Sequence, residues 1–156
     1  MSSTIFGKKK EVTLTTTSAF LEQNKAIREN QFFAATKSLC DGNGDPLLWE
    51  VRPLSTKEEE KLRDSCTREV PVPGKPHMYR PQLDTNAYLG KIIAAMVIVP
   101  DLLDKALQDS YGVKTPEELV REMIDEPGEY NAFLARLQKM NGSDVTLGGT
   151  IEQAKN

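Results

Sequence analysis

A chain of 156 residues, 38% of them hydrophobic, can bury one core of ordinary size and is short for two. A net charge of −3 with a pI near 5.3 excludes recognition of nucleic acid by massed cations. Two cysteines, Cys40 and Cys66, exclude a disulfide scaffold and point to an intracellular protein.

Residues 1–17 are rich in Ser, Thr and Lys, with little periodicity, and read as a flexible arm. They contain no apolar stretch of the kind a signal peptide needs, so no export is expected. Ser18 can cap a short helix over 19–28, whose Phe20, Leu21, Asn24 and Ile27 fall at helical spacing.

Two alternating segments, 32–40 and 47–54, flank Asp41-Gly-Asn-Gly-Asp-Pro46 and predict a β-hairpin in which Trp49 and Val51 share the core face. Asp41, Asn43 and Asp45 fit the first places of a calcium loop. Pro46 replaces its glycine and Arg52 its bidentate glutamate, so no metal is expected. Ser55-Thr-Lys-Glu58 is a capping box opening a charged helix over 56–67. Cys66 on that helix reads as a packed thiol, since no histidine or acid stands at a nucleophile spacing. The proline-rich stretch 70–77 predicts an extended or polyproline connector, and His77, the only histidine, lacks partners for a metal site or a triad.

The stretch 86–100 is the expected hub. From Ile92 to Val99 every residue is apolar, too short a run for a membrane span, which needs roughly 20 residues. A buried strand also fits such a run; Ala94-Ala95, the polar lead-in and the stop at Pro100 favour a core helix. Beyond it, Asp101 can cap a helix over 102–111 that ends at Gly112. Thr115-Pro-Glu-Glu118 opens another, to about residue 125. Tyr130, Phe133, Leu134, Leu137 and Met140 form the stripe of an amphipathic last helix that Asn141-Gly142 closes. Residues 143–156 read as a flexible tail.

The fold class expected is therefore α+β and mainly helical. A β-hairpin or small antiparallel sheet near the N-terminal side packs on about five helices around a buried central helix, in one domain over 18–142. No phosphate loop, Cys-x-x-Cys, His-Glu-x-x-His or Gly-x-Ser-x-Gly occurs, so neither an enzyme nor a cofactor is expected. The acid-rich helices around 57–64 and 117–126 read as solvated faces.

Six segments share a wording: Trp49-Glu-Val-Arg-Pro-Leu54, Ser65-Cys-Thr67, Val70-Pro-Val-Pro-Gly-Lys75, Tyr88-Leu-Gly-Lys91, Leu107-Gln-Asp-Ser-Tyr-Gly-Val113 and Pro127-Gly-Glu-Tyr130. In letters, order and spacing they resemble the tail assembly chaperones of long-tailed phages and prophage-like particles of Gram-positive bacteria. The likeness runs over about 32–142; the arm is longer and richer in Lys and Thr than the family's. It implies a protein of the host cytoplasm that binds the tape measure protein, keeps it soluble while the tail tube polymerises, and is absent from the mature particle. The tail tube protein is a further implied partner, and a frameshifted longer form is known in the family, of which this chain would be the short one. The alternative is a structural tail-completion or baseplate adaptor.

For the client surface, the expectation is Tyr130, Phe133, Leu134, Leu137 and Met140, a stripe that either grips an apolar helix or packs on the hub. Self-association is expected if the arm, through 11–17, pairs with a hairpin edge of a neighbour; otherwise it hangs free.

Overall fold

The computed structural model describes residues 15–142. Most of the expected arm and all of the expected tail lie outside them, as does most of the segment 11–17 proposed to pair with a strand edge. The described chain is α+β, with five α-helices and two small antiparallel sheets.

Short strands β1 (Gln31–Phe33) and β2 (Trp49–Val51) pair antiparallel, Phe33 opposite Trp49, in the expected hairpin. They are shorter than the segments 32–40 and 47–54 read for it, with only an isolated bridge, Cys40 to Pro46, in the connection. Asp41 Oδ1 accepts from the amides of Asn43 and Asp45, at 2.8 and 3.0 Å, which fixes the turn between them. Trp49 and Val51 are buried, as alternation predicts.

The hub divides. Helix α2 (Thr85–Met96), capped by Asp84, gives way to strand β5 (Val97–Val99), which pairs with β2 and completes a sheet of order β1-β2-β5. The helix expected to reach Pro100 therefore stops four residues early. Proline disfavours helical backbone at Val99, and three β-branched residues gain more from the open edge of β2 than from another helical turn. Strand β5 covers the β2 edge of the hairpin, while the outer edge of β1 pairs with no strand among the described residues.

Helix α1 (Thr56–Ser65) carries the complete capping box: Ser55 Oγ accepts from the Glu58 amide and Glu58 Oε1 from the Ser55 amide. Ser55→Ala should lower stability by about 1 kcal/mol, read as a shift of the urea midpoint at unchanged slope. The proline-rich stretch is no connector. It is a second hairpin, β3 (Thr67–Val72) and β4 (Lys75–Leu83), whose Pro73-Gly74 turn has Gly74 at φ 76°. Prolines forbid helix, but on a hairpin with open edges they cost few ladder bonds.

Helix α3 (Lys105–Ser110) is shorter than expected because Asp104 caps it, while Asp101 holds only a local turn through the Leu103 amide. Helix α4 (Pro116–Met123) starts at its proline as read, α5 (Pro127–Met140) begins at Pro127, ahead of its apolar stripe, and Gly112 and Gly142 follow α3 and α5 with positive φ. No helix forms over 19–28. Two 3-10 turns, Thr17–Phe20 and Glu22–Asn24, stand there, with Phe20 78% and Ile27 88% exposed. A short stripe without a docking face cannot offset the cost of helix nucleation, and Asn24 Nδ2 donates to the carbonyls of Ser18 and Ala19.

The core gathers Trp49 and Val51 from β2, Ile92, Ile93 and Met96 from α2, Leu119, Val120 and Met123 from α4, and Phe133, Leu134 and Leu137 from α5. Phe133 sits edge-on to Phe33 and Trp49, with ring centroids 5.8 and 5.4 Å away. Such pairs add about 0.5–1.5 kcal/mol each to the burial of the rings. The first turn of α5 is tied to the β1–β2 connection: Glu129 accepts from buried Thr36 Oγ1 at 2.6 Å and from the Lys37 amide at 2.9 Å.

Candidate partner-binding surface

The α5 stripe faces inward. Phe133, Leu134 and Leu137 are buried, and Tyr130 and Met140 pack half-buried at the margin of the core. For Phe133, Leu134 and Leu137 to meet a client, α5 would have to leave the core. Near the end of α5 stand two half-buried polar residues of a different character, Gln138 and the capping Asn141.

These two lie in a groove of about 1370 Å³. One wall is the N-terminal segment from the Glu22–Asn24 turn to Ile27, the other is α1 with Glu59 and Arg63, and Leu54, Tyr88 and Ile92 line it between them. The space exceeds the roughly 300–1,000 Å³ typical of small-molecule sites, and its open form suits a polypeptide.

Two long-range anchors hold the walls. Arg28 Nη2 donates to the Leu54 carbonyl at 2.5 Å, pinning the N-terminal segment, and the Leu54 amide donates to Asn141 Oδ1 at 2.9 Å, pinning the end of α5. Asn141 Nδ2 also reaches Met96 Sδ at 3.3 Å, so one side chain joins α5, the exit of β2 and the end of α2. Gln138, in the groove lining, has its Oε1 buried with no hydrogen-bond partner among the described residues.

The α1 wall is polar. Glu59 accepts from the Tyr88 hydroxyl and from Arg63 Nη2, and the Arg63 guanidinium lies 5.7 Å from the Tyr88 ring centroid. Burial, then the Glu59 carboxylate, pushes the Tyr88 phenol up; the Tyr88 hydroxyl, more than Glu59, raises Arg63. At the head of α1, Arg52 donates two hydrogen bonds to Glu58, at 3.1 and 2.9 Å. Those bonds, then the Ser55 amide, hold the Glu58 carboxyl at about 2, against 4.5 ordinarily. Because the folded value is the lower one, the stabilisation is complete above about pH 4.5 and is lost as pH falls toward 2. Arg52→Gln should therefore flatten the stability curve in that window and lower stability at pH 7 by at most about 1 kcal/mol, the pair being solvent-screened. Urea melts at several pH values check it.

Nothing in this arrangement is a catalytic constellation. Among the described residues no three His, Cys, Asp or Glu side chains could hold a metal ion, and no helix is long and apolar enough to cross a membrane. Cys66 is buried, and His77 stands exposed on the second hairpin.

The model of the phage XkdN-like tail assembly chaperone proteins matches residues 17–155. The chain belongs to that family. The XkdN-like proteins have a chaperone role in tail assembly, a non-enzymatic one. The phage-like element PBSX protein XkdN of Bacillus subtilis (strain 168) is 26% identical over 121 residues, 78% of this chain and 80% of that one. The uncharacterized protein YqbN of the same strain is 24% identical over 121 residues, with the same coverage. A crystal structure of YqbN superposes with a TM-score of 0.69 at 19% identity, over 85% of this chain and all of that chain, and shows that the fold is shared. The resemblance read from the six segments between Trp49 and Tyr130 is thus the family itself.

Sequence reading did not find the groove. Arg28 and Asn141 meet Leu54 from 26 and 87 residues away, and neither carries a local pattern that announces it. The hairpin did have a signal, Pro73-Gly74 between β-branched and aromatic residues, outweighed by the count of prolines.

Proposed function

We propose that this XkdN-like chaperone binds the tape measure protein in the host cytoplasm, keeps it soluble while tube subunits polymerise, and leaves before the particle is complete. The family match over residues 17–155 is the observation that carries this reading. The groove supports it, being of polypeptide size and lined by Ile27, an apolar side chain that the fold leaves exposed. An amphipathic client helix laid there would cover that side chain. The tail tube protein is the second partner proposed, met as the client is handed over.

Co-expression with the neighbouring tape measure protein tests the reading. The wild-type chain should raise the soluble fraction of the client severalfold, and Ile27→Asp, at a site 88% exposed, should lose that effect while keeping the wild-type circular dichroism. Equal client solubility with and without the chain would refute it.

A further inference from the structure

The outer face of the β1-β2-β5 sheet is largely apolar and, among the described residues, uncovered. Paired residues of an antiparallel sheet share a face, so Phe32, Glu50 and Val99 stand in one row across the strands, opposite in direction to Trp49 and Val51. In β5 the register slips: Glu50 pairs with Val99 but Val51 with Val97, leaving Ile98 as an extra residue. A regular strand would turn one of Ile98 and Val99 inward, whereas here both are exposed, at 39% and 48%. Phe32 and Leu48 add to the face at 61% and 62%. The segments that build it, 29–33, 45–50 and 97–104, carry Glu29, Asp45, Glu50, Asp101 and Asp104 and neither lysine nor arginine. Asn30 Nδ2 binds Glu50 Oε2, at 2.9 Å, and leaves Oε1 open.

The β3–β4 hairpin has the opposite character. The pairings Arg68↔Gln82 and Val70↔Arg80 place Arg68, Val70 and Arg80 on one face, with Met78 two residues from Arg80 on the same side. Met78 is 52% exposed, and neither arginine forms an ion pair among the described residues. Over 67–83 the charges are Arg68, Lys75 and Arg80 against Glu69 alone. Two strands by themselves are marginally stable, so this hairpin gains from a surface to lie on. Pro71, Pro76 and Pro81 lack the amides that a further strand would pair with, which favours docking by the face over growth at an edge.

We propose that the Arg68, Val70, Met78, Arg80 face of one copy docks on the Phe32, Ile98, Val99 face of a second copy, with the arginines against Glu50 and Asp101. Charge decides the occupant: two sheet faces laid together would oppose Glu50 to Glu50, while the hairpin brings both the apolar centre and the cations. The contact joins different surfaces of the two copies, so a docked pair keeps one free sheet face on the first copy and one free hairpin on the second. Assembly proceeds beyond a dimer, to a ring or an open chain.

Sedimentation over a concentration series, with circular dichroism as the folding control, tests this on the full chain. The wild type should form species larger than a dimer that weaken as salt rises. Arg80→Glu and Glu50→Arg should each weaken association about tenfold or more, and the charge-swapped double variant should recover it. A monomeric wild type at every concentration would overturn the proposal, as would single variants that associate like the wild type. So would single variants of unchanged mass that fail to solubilise the tape measure protein, which would make the sheet face a client site.

Discussion

Phe133→Asp abolishes the folded state. The ring is 3% exposed and wedged edge-on against Phe33 and Trp49. Truncating a buried phenylalanine costs about 3–5 kcal/mol, and an unpaired carboxylate in its place adds several more. Domains of this size hold only about 5–15 kcal/mol in all. The expected result is the loss of near-ultraviolet circular dichroism and of a cooperative urea transition, with Phe133→Leu retaining both at a lowered midpoint. A wild-type midpoint for Phe133→Asp would mean that α5 does not pack on the sheet. The variant also bears on the client surface: loss of tape measure binding by it would reflect unfolding, whereas the same loss by exposed Ile27→Asp would not.

The second large effect is expected at Gly90, where α2 passes α4. A Cβ built there would lie 3.1 Å from Glu117 Cγ and 3.4 Å from Glu117 Cβ. Gly90→Ala asks only a small shift of a flexible side chain, and its gain in helix propensity, up to about 1 kcal/mol, offsets the crowding. Gly90→Leu has no such escape. It forces α4 away from α2 and displaces Glu117 from its 3.3 Å contact with Lys91, so a loss of about 1–3 kcal/mol or more is expected. Urea midpoints of the two variants separate the cases: near-wild-type for alanine, clearly lowered for leucine. Equal midpoints would show that the helices do not approach closely at this point.

What could be read from the letters was what the letters decide locally. Ser55 with Glu58, and Thr115 with Pro116 and Glu118, contain both partners of their caps within four residues, and the structure forms both. Alternation alone put Trp49 and Val51 in the core. The failures share the opposite property. Val97–Val99 is strand because β2, some fifty residues earlier, has an edge to offer, and 19–28 is not helix because no surface receives Phe20 and Ile27. The five-residue stripe on α5 carried the right periodicity, but periodicity states that a face is apolar without saying whether core or client covers it. The groove depends on Arg28 and Asn141 converging on one residue, Leu54, and no spacing encodes that.

The central claim, that this XkdN-like protein holds the tape measure protein during assembly and then leaves, is tested most directly by quantitative mass spectrometry of tail assembly intermediates and finished particles. The account predicts that this chain co-purifies with the tape measure protein in the intermediates and is missing from the finished particles. A fixed copy number in finished particles would contradict it and make the protein a structural component.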